Sequence, residues 1–199
     1  MYKRQLPAYV EELKRIQPVF IDSYPSAIFS IGKFLADKGL DSGIAPKAII
    51  TSSETLFDYQ REVIEKVFHS RVFDQYGSAE MVSFISQCEK GSYHVNPEYG
   101  IVEVIKDGEP AKDGEPGELV CTGLVNATMP LIRYKIGDSA IISESTCSCG
   151  RAFPMLKAIL GRTDDFVVTR DGRFIGRLDP VFKTISSRIK VAQIVQEDY

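Results

Sequence analysis

The spacing of apolar positions changes from helical to alternating near residue 81, and that change divides the architecture. Residues 8–16 place Val10, Leu13 and Ile16 at helical spacing with charges between them, and Pro18 stops the run. A second helix starts at Tyr24-Pro25-Ser26, puts Ile28, Ile31, Phe34 and Leu35 on one face and ends at Gly39. Both are read as packing elements. Residues 47–51 form a short β-branched run, 58–69 carry Val63, Ile64 and Val67 on a helical pattern, and 71–73 begin another strand. Strand, helix and strand in that order make a βαβ unit, for which parallel strands and a right-handed crossover are expected. The loops after those strands, Ser52-Ser53-Glu54 and Tyr76-Gly77-Ser78-Ala79-Glu80, must then lie side by side as a candidate ligand crevice.

From Met81 the period is two. Segments 82–87, 92–95, 101–105, 118–122, 131–134 and 139–142 read as strands separated by turns such as Lys106-Asp107-Gly108 and Asp113-Gly114-Glu115-Pro116-Gly117. The expected fold class is α/β, a βαβ unit followed by a mostly antiparallel sheet region. After Gly161-Arg162 a new small domain is expected, with a hairpin around Arg170-Asp171-Gly172, a helix over 178–186 and a strand over 189–196. This divides the chain into 1–161 and 162–199. Residues 1–5 show neither periodicity nor a cap and are read as a ragged, non-native start, and the last strand stops at Tyr199 without a partner to follow, so a fragment is expected.

Composition narrows the function classes. With 199 residues, 44% hydrophobic and 26% charged, the chain suits one core, or one domain and part of another. A net charge of −3 gives no general attraction to nucleic acid or to anionic membrane. No apolar run reaches the roughly 20 residues that span a bilayer, and the start lacks an apolar signal core, so a cytoplasmic protein is expected. Four cysteines are too few for a disulfide scaffold, and Cys147 and Cys149 are too close together to staple distant segments.

Metal binding is the better use for those thiols. Cys88 and His94 flank the connection Glu89-Lys90-Gly91-Ser92-Tyr93, which reads as a hairpin and would bring both side chains to one end; Cys147-Ser148-Cys149-Gly150 supplies two more sulfurs on a glycine-ended knuckle. Three cysteines and a histidine make a closed tetrahedral zinc site with no open position for catalysis. The competing reading is unrelated buried cysteines and a surface histidine. Cys121 stands alone on a strand as a core cysteine. His69 ends a helix, where a cation is favourable, and receives no chemistry.

Two further segments carry candidate chemistry. In the first, the Tyr76 ring could cover an adenine face, Gly77-Ser78 let a phosphate or acyl group approach the backbone, and Glu80 could hold Mg²⁺. In the second, Asp138 closes Arg133-Tyr134-Lys135-Ile136-Gly137-Asp138 after a glycine turn, suited to accept hydrogen bonds from a ribose diol. An ordinary strand-to-loop turn and a turn aspartate are the plain alternatives.

Taken together, Asp74-Gln75-Tyr76-Gly77-Ser78-Ala79-Glu80, Met129-Pro130-Leu131-Ile132-Arg133-Tyr134-Lys135-Ile136-Gly137-Asp138 and Gly161-Arg162-Thr163-Asp164-Asp165 resemble the adenylate-forming enzymes, most closely the phenylacetate-CoA ligase-like branch with its capsule-biosynthesis relatives. The resemblance implies the C-terminal half of the nucleotide-binding large domain and the start of a small α+β C-terminal domain. It also assigns roles. Tyr76 stacks on adenine, Gly77 and Ser78 floor the site near the reacting carboxylate, Glu80 binds magnesium, and Asp138 holds the ribose hydroxyls. Arg162 reaches the nucleotide, Asp164 is the hinge of the small domain, and Ser53 and Glu54 match the segment whose backbone borders adenine. Members of this branch look similar around the zinc residues too.

The implied reaction joins a small carboxylic acid, an aryl acid by resemblance, to ATP with Mg²⁺ and then to coenzyme A. A homodimer is compatible with it. No Ser/Thr/Gly-rich phosphate loop with its lysine is found, and Lys183 and Lys190 are too early to serve as the family's late lysine, so the chain alone is not expected to turn over. Two alternatives stand: an adenylating enzyme of capsule or secondary metabolism with an acceptor other than coenzyme A, and a zinc-stabilised module without catalysis.

Overall fold

Pro7 and Pro25 sit in the first turns of the first two helices, α1 (Leu6–Ile16) and α2 (Pro25–Asp37), where a missing amide proton loses no hydrogen bond. The computed structural model describes residues 5–162, 166–168, 174–176 and 195–196. Between these helices lies β1 (Phe20–Ser23), followed after α2 by β2 (Ala48–Ser52), α3 (Asp58–Phe68) and β3 (Val72–Gly77). The antiparallel part is β4 (Phe84–Gln87), β5 (Tyr93–Val95), β6 (Gly100–Lys106), β7 (Glu109–Pro110), β8 (Pro116–Gly123), β9 (Tyr134–Ser143) and β10 (Met155–Arg162). These strands form one sheet in the order β1-β2-β3-β4-β5-β10-β9-β8-β6-β7. β11 (Phe166–Val168) and β12 (Phe174–Gly176) pair antiparallel in a separate small sheet.

The βαβ unit forms as the pattern requires. β1, β2 and β3 pair in parallel, with Ile49 opposite both Ile21 and Val72. Ile28, Ile31 and Leu35 of α2 and Ile64, Val67 and Phe68 of α3 pack on this sheet as the first core. Ile49, Ile64 and Phe68 are fully buried, each worth roughly 1.5–3 kcal/mol relative to exposure. α3 ends at His69 in the left-handed conformation, and its imidazole pairs with Asp41.

A second core, including Val82, Ile85, Val104, Leu119, Cys121, Ala140 and Leu156, lies under the antiparallel strands. Here the sheet curls. The loop after β3 returns across the paired glycines Gly100 and Gly123, and a Cβ on Gly100 would stand 2.2 Å from the Val82 carbonyl oxygen. Only a bare backbone permits that approach. Tyr76 of β3 and Tyr134 of β9 both pack on this second core, so strands far apart in sheet order face each other.

Three features differ from expectation. Segments 131–134 and 139–142 are not two strands about a glycine turn: residues 131–133 are irregular, and β9 runs unbroken from Tyr134 to Ser143. Gly137 (φ 79°) instead lies in a bulge, where Glu118 faces Ser139 but Val120 faces Lys135. β1 and β10 were not read as strands, the first being only four residues long and the second carrying two register irregularities that blur its alternation. The expected helix over 178–186 and Asp164 lie outside the described residues.

Candidate functional site

Two clusters of polar side chains lie along the sheet, joined by a buried network. The first is the crevice at the carboxyl ends of β2 and β3, where Ser52 pairs with Gln75 and brings the following loops together. Ser53 turns the chain out of β2 at φ 67°, a conformation that costs a residue with a Cβ about 1–2 kcal/mol. The Glu54 carboxylate accepts the Ser26 amide at 3.0 Å, an N–H of the first turn of α2 without a helical partner. Glu54 therefore caps a helix with its side chain.

Across the crevice the Tyr76 hydroxyl donates to Asp138 Oδ2 at 2.6 Å, and Arg162 Nε lies 3.7 Å from Asp138 Oδ1. Asp138 and Arg162 are cross-strand partners on β9 and β10. Arg162 also donates through Nη1 to the Ile136 carbonyl at 2.8 Å. Gly137 makes this seat: a Cβ there would lie 2.8 Å from Arg162 Nη1, and its φ is positive. The Asp138 side chain is 16% exposed and that of Arg162 56%, so the guanidinium is presented outward above a sheltered carboxylate. Burial, and secondly the bond to Asp138, raise the Tyr76 phenol far above its usual value, so it stays a donor at physiological pH.

The Tyr134 hydroxyl donates to Glu80 Oε1 at 3.4 Å. Ser78 Oγ is buried without a partner among the described residues, a hydroxyl left available to a ligand. The structure thus gathers Tyr76, Asp138 and Arg162 directly. Tyr134 and Gly137 were not singled out in the sequence, although both lie inside the Arg133 to Asp138 motif.

The second cluster brings together Cys88, His94, Cys147 and Cys149, with all four ligand atoms within 4.8 Å of one another. Cys88 Sγ stands 3.7 Å from Cys147 Sγ, and Cys149 Sγ 3.4 Å from His94 Nε2. Zinc bonds of about 2.3 Å to sulfur and 2.0–2.1 Å to nitrogen at the tetrahedral angle give edges of about 3.8 Å and 3.5 Å. The Cys88–Cys147 and Cys149–His94 edges, two of the six, match these lengths. The Lys90 amide donates to Cys88 Sγ at 3.3 Å and the Arg151 amide to Cys149 Sγ at 3.4 Å, while Cys147 Sγ is 3.4 Å from Ser92 Oγ. Backbone donors aimed at sulfur stabilise thiolate, the form that binds metal. Arg151 pairs with Glu89 at 2.8 Å, which lowers the Glu89 carboxyl below its usual range.

The network between the clusters centres on Asp74, which is 7% exposed. Thr51 and Tyr93 each donate a hydroxyl to its carboxylate at 2.6 Å. Its amide donates to Gln87 Oε1 at 3.0 Å, which also accepts from Arg61 at 2.7 Å. Burial raises the Asp74 carboxyl above the usual aspartate value, outweighing those donated bonds. An aspartate within the apolar start of β3 was the available signal, and sequence reasoning passed over it.

No family model matches the chain. By sequence it is 31% identical over 196 residues to protein CapK of Staphylococcus aureus, covering 97% of this chain and 42% of that protein. It is 28% identical over 152 residues to a phenylacetate-coenzyme A ligase of Thermus thermophilus, covering 71% of this chain and 34% of the ligase. The fold matches a 2-hydroxyisobutyryl-CoA ligase solved in complex with 2-HIB-AMP in the postadenylation state, with a TM-score of 0.73, 22% identity, and coverage of 94% of this chain and 42% of that one. The chain thus spans less than half the length of these proteins. Among the described residues no helix is long and apolar enough to cross a membrane. The motifs at Tyr76, Asp138 and Arg162, the shared fold and the two sequence relatives agree: the chain belongs to the phenylacetate-CoA ligase-like and CapK branch of the adenylate-forming enzymes and matches a part of its members.

Proposed function

We propose that the protein is part of an ATP-dependent, AMP-forming carboxylate-CoA ligase. A carboxylate oxygen of the acid attacks the α-phosphorus of ATP, the bond to the β-phosphate oxygen breaks, and pyrophosphate leaves. The thiol sulfur of coenzyme A then attacks the acyl carbonyl, loses its proton, and expels AMP. The joined Tyr76–Asp138–Arg162 set carries this reading. The similar 2-hydroxyisobutyryl-CoA ligase binds an acyl-AMP and, in another state, coenzyme A as well, which supports both halves.

Within the crevice the roles are those that the resemblance of the motifs assigns, and the contacts of Tyr76, Asp138 and Arg162 support them. The Tyr76 hydroxyl is occupied by Asp138, so its ring face is what it offers adenine. Each Asp138 oxygen has a second lone pair for a ribose hydroxyl. Gly137 lets the Arg162 guanidinium lie beside that carboxylate, where it can reach phosphate oxygens. Gly77 and Ser78 floor the reacting groups, and the Ser78 hydroxyl is free to bond one of them. Ser53 and Glu54 border the base through backbone, and Asp164 is assigned the hinge by similarity of motif. Glu80 suits Mg²⁺, which needs only one or two protein carboxylates beside phosphate oxygens; when bound, Mg²⁺ offsets the charge of the departing pyrophosphate.

Cys88, His94, Cys147 and Cys149 are assigned a structural zinc, on their gathering within 4.8 Å and on two edges that suit a tetrahedral ion. Zinc there ties the Cys147 loop to the β4–β5 hairpin and leaves no position open for catalysis. Thiols kept for metal fit a reducing, cytoplasmic setting. A second reading shares the same nucleotide residues and differs only in that the acceptor is not coenzyme A. Offering coenzyme A, free amines and carrier-protein thiols to the acyl-adenylate separates the readings. Consumption of coenzyme A alone supports the first, and consumption of another acceptor supports the second.

A further inference from the structure

The sheet has a narrow seam. Between β5 and β10 only Met155 with His94 and Leu156 with Tyr93 are paired among the described residues, followed by the Val95 amide donating to the Pro154 carbonyl at 2.8 Å. One side of the seam is the run β3-β4-β5, in which Ile85 pairs with Tyr76. On the other side is the β9–β10 hairpin, which carries Asp138 and Arg162. Two pairs of residues are a weak joint for strands whose far ends must place Tyr76 within hydrogen-bond reach of Asp138.

The four metal-ligand residues straddle this seam. Cys88 and His94 flank the β4–β5 turn, and Cys147 and Cys149 lie in the connection from β9 to β10. The residues just before Cys88 and His94 are fixed as well. Gln87 accepts the Asp74 amide and Tyr93 donates to the Asp74 carboxylate, so the ligand-bearing hairpin is clamped to the strand that leads into Tyr76. The backbone that carries Cys88 and His94 is thereby tied through Asp74 to β3.

The geometry points to a coupling between the two sites: a metal ion held by Cys88, His94, Cys147 and Cys149 sets the separation of Tyr76 from the Asp138–Arg162 pair by holding β5 in register on β10. This rests on the zinc and nucleotide readings above and adds a positioning role to a site otherwise only structural. Binding free energies are reciprocal, so nucleotide must also tighten metal.

The test is titration of AMP into the protein with zinc bound and after a chelator has removed it, with far-UV circular dichroism recorded on both. The coupling predicts affinity for AMP weaker by about fivefold or more without metal, restored by added zinc. Tyr93→Phe, which keeps every metal ligand, is expected to weaken AMP binding at unchanged zinc content. Unchanged AMP affinity in a folded, metal-free protein overturns the coupling and leaves both underlying readings intact. A protein that takes up no zinc, or that holds zinc but binds no AMP, removes the coupling together with the reading that failed. Should the chelated protein unfold, exchange of zinc for cadmium decides: longer cadmium–sulfur bonds shift the seam, and equal AMP affinity in the two metal forms overturns the proposal.

Discussion

The Tyr76 hydroxyl donates to Asp138 at 2.6 Å across 62 residues of chain, with β4, β5 and β10 standing between their two strands in the sheet. The contact closes the curl of the sheet and fixes the mouth of the crevice. Tyr76→Phe keeps the ring and removes only the donor. A bond to a charged acceptor is lost, so the variant should be about 2 kcal/mol less stable in urea denaturation, while AMP binding through the ring face should fall only modestly.

Gly137 supports the same site from beneath. In Gly137→Ala the positive φ disfavours the Cβ by about 1–2 kcal/mol, and the added atom lies where Arg162 Nη1 now sits. The guanidinium can swing away, so the structural loss should stay near that figure. Nucleotide affinity should fall more than stability, as titration beside a denaturation curve would show. Equal AMP affinity in wild type and variant would argue against Arg162 as a phosphate ligand.

The thiols should react in an order set by metal and burial. Burial pushes the Cys121 thiol up to about 11, and Cys121 is fully buried. It should resist alkylation until the protein unfolds. Cys147 and Cys149 are half-exposed and should be slow to react with zinc bound and fast after chelation. Mass spectrometry of alkylated peptides reads the order. Labelling of Cys147 and Cys149 at one rate with and without chelator would count against a metal there.

Asp74 should leave a trace in the pH dependence of stability. Its folded carboxyl titrates above the usual aspartate value because it is buried, so the folded state binds a proton more readily than the unfolded one. The stabilising contribution is full below the unfolded value and is lost as pH rises through the folded one. Asp74→Asn should flatten the stability profile in that window, just above the usual aspartate range. Denaturation midpoints measured across mildly acid pH would check this.

Much of this was legible in the sequence, for reasons that differ by element. Helix period and β-branched runs disclosed α1, α2, α3 and the parallel β2–β3 pair, because each buries one face on a single core. The gathering of Cys88, His94, Cys147 and Cys149 could be read because they come as two close pairs, each at the connection between paired strands. β10 escaped because irregularities after Leu156 and Ile159 break its alternation, and β9 was split in two because a positive-φ glycine inside a bulge looks like a turn. The meeting of Tyr76 with Asp138 follows from no local pattern; the family resemblance alone brought them together beforehand. The Thr51–Asp74–Tyr93 network was missed because it joins residues from three strands that only tertiary pairing places side by side.

The most direct test of a nucleotide crevice at Tyr76, Asp138 and Arg162 is the thermal midpoint of the protein with and without AMP, compared with that of Asp138→Ala at equal zinc content. Ligand at about 100 times its dissociation constant adds about 2.7 kcal/mol to a protein that binds it. The wild type should therefore shift upward and Asp138→Ala should not. An equal upward shift in both, or none in the wild type, would contradict the assignment.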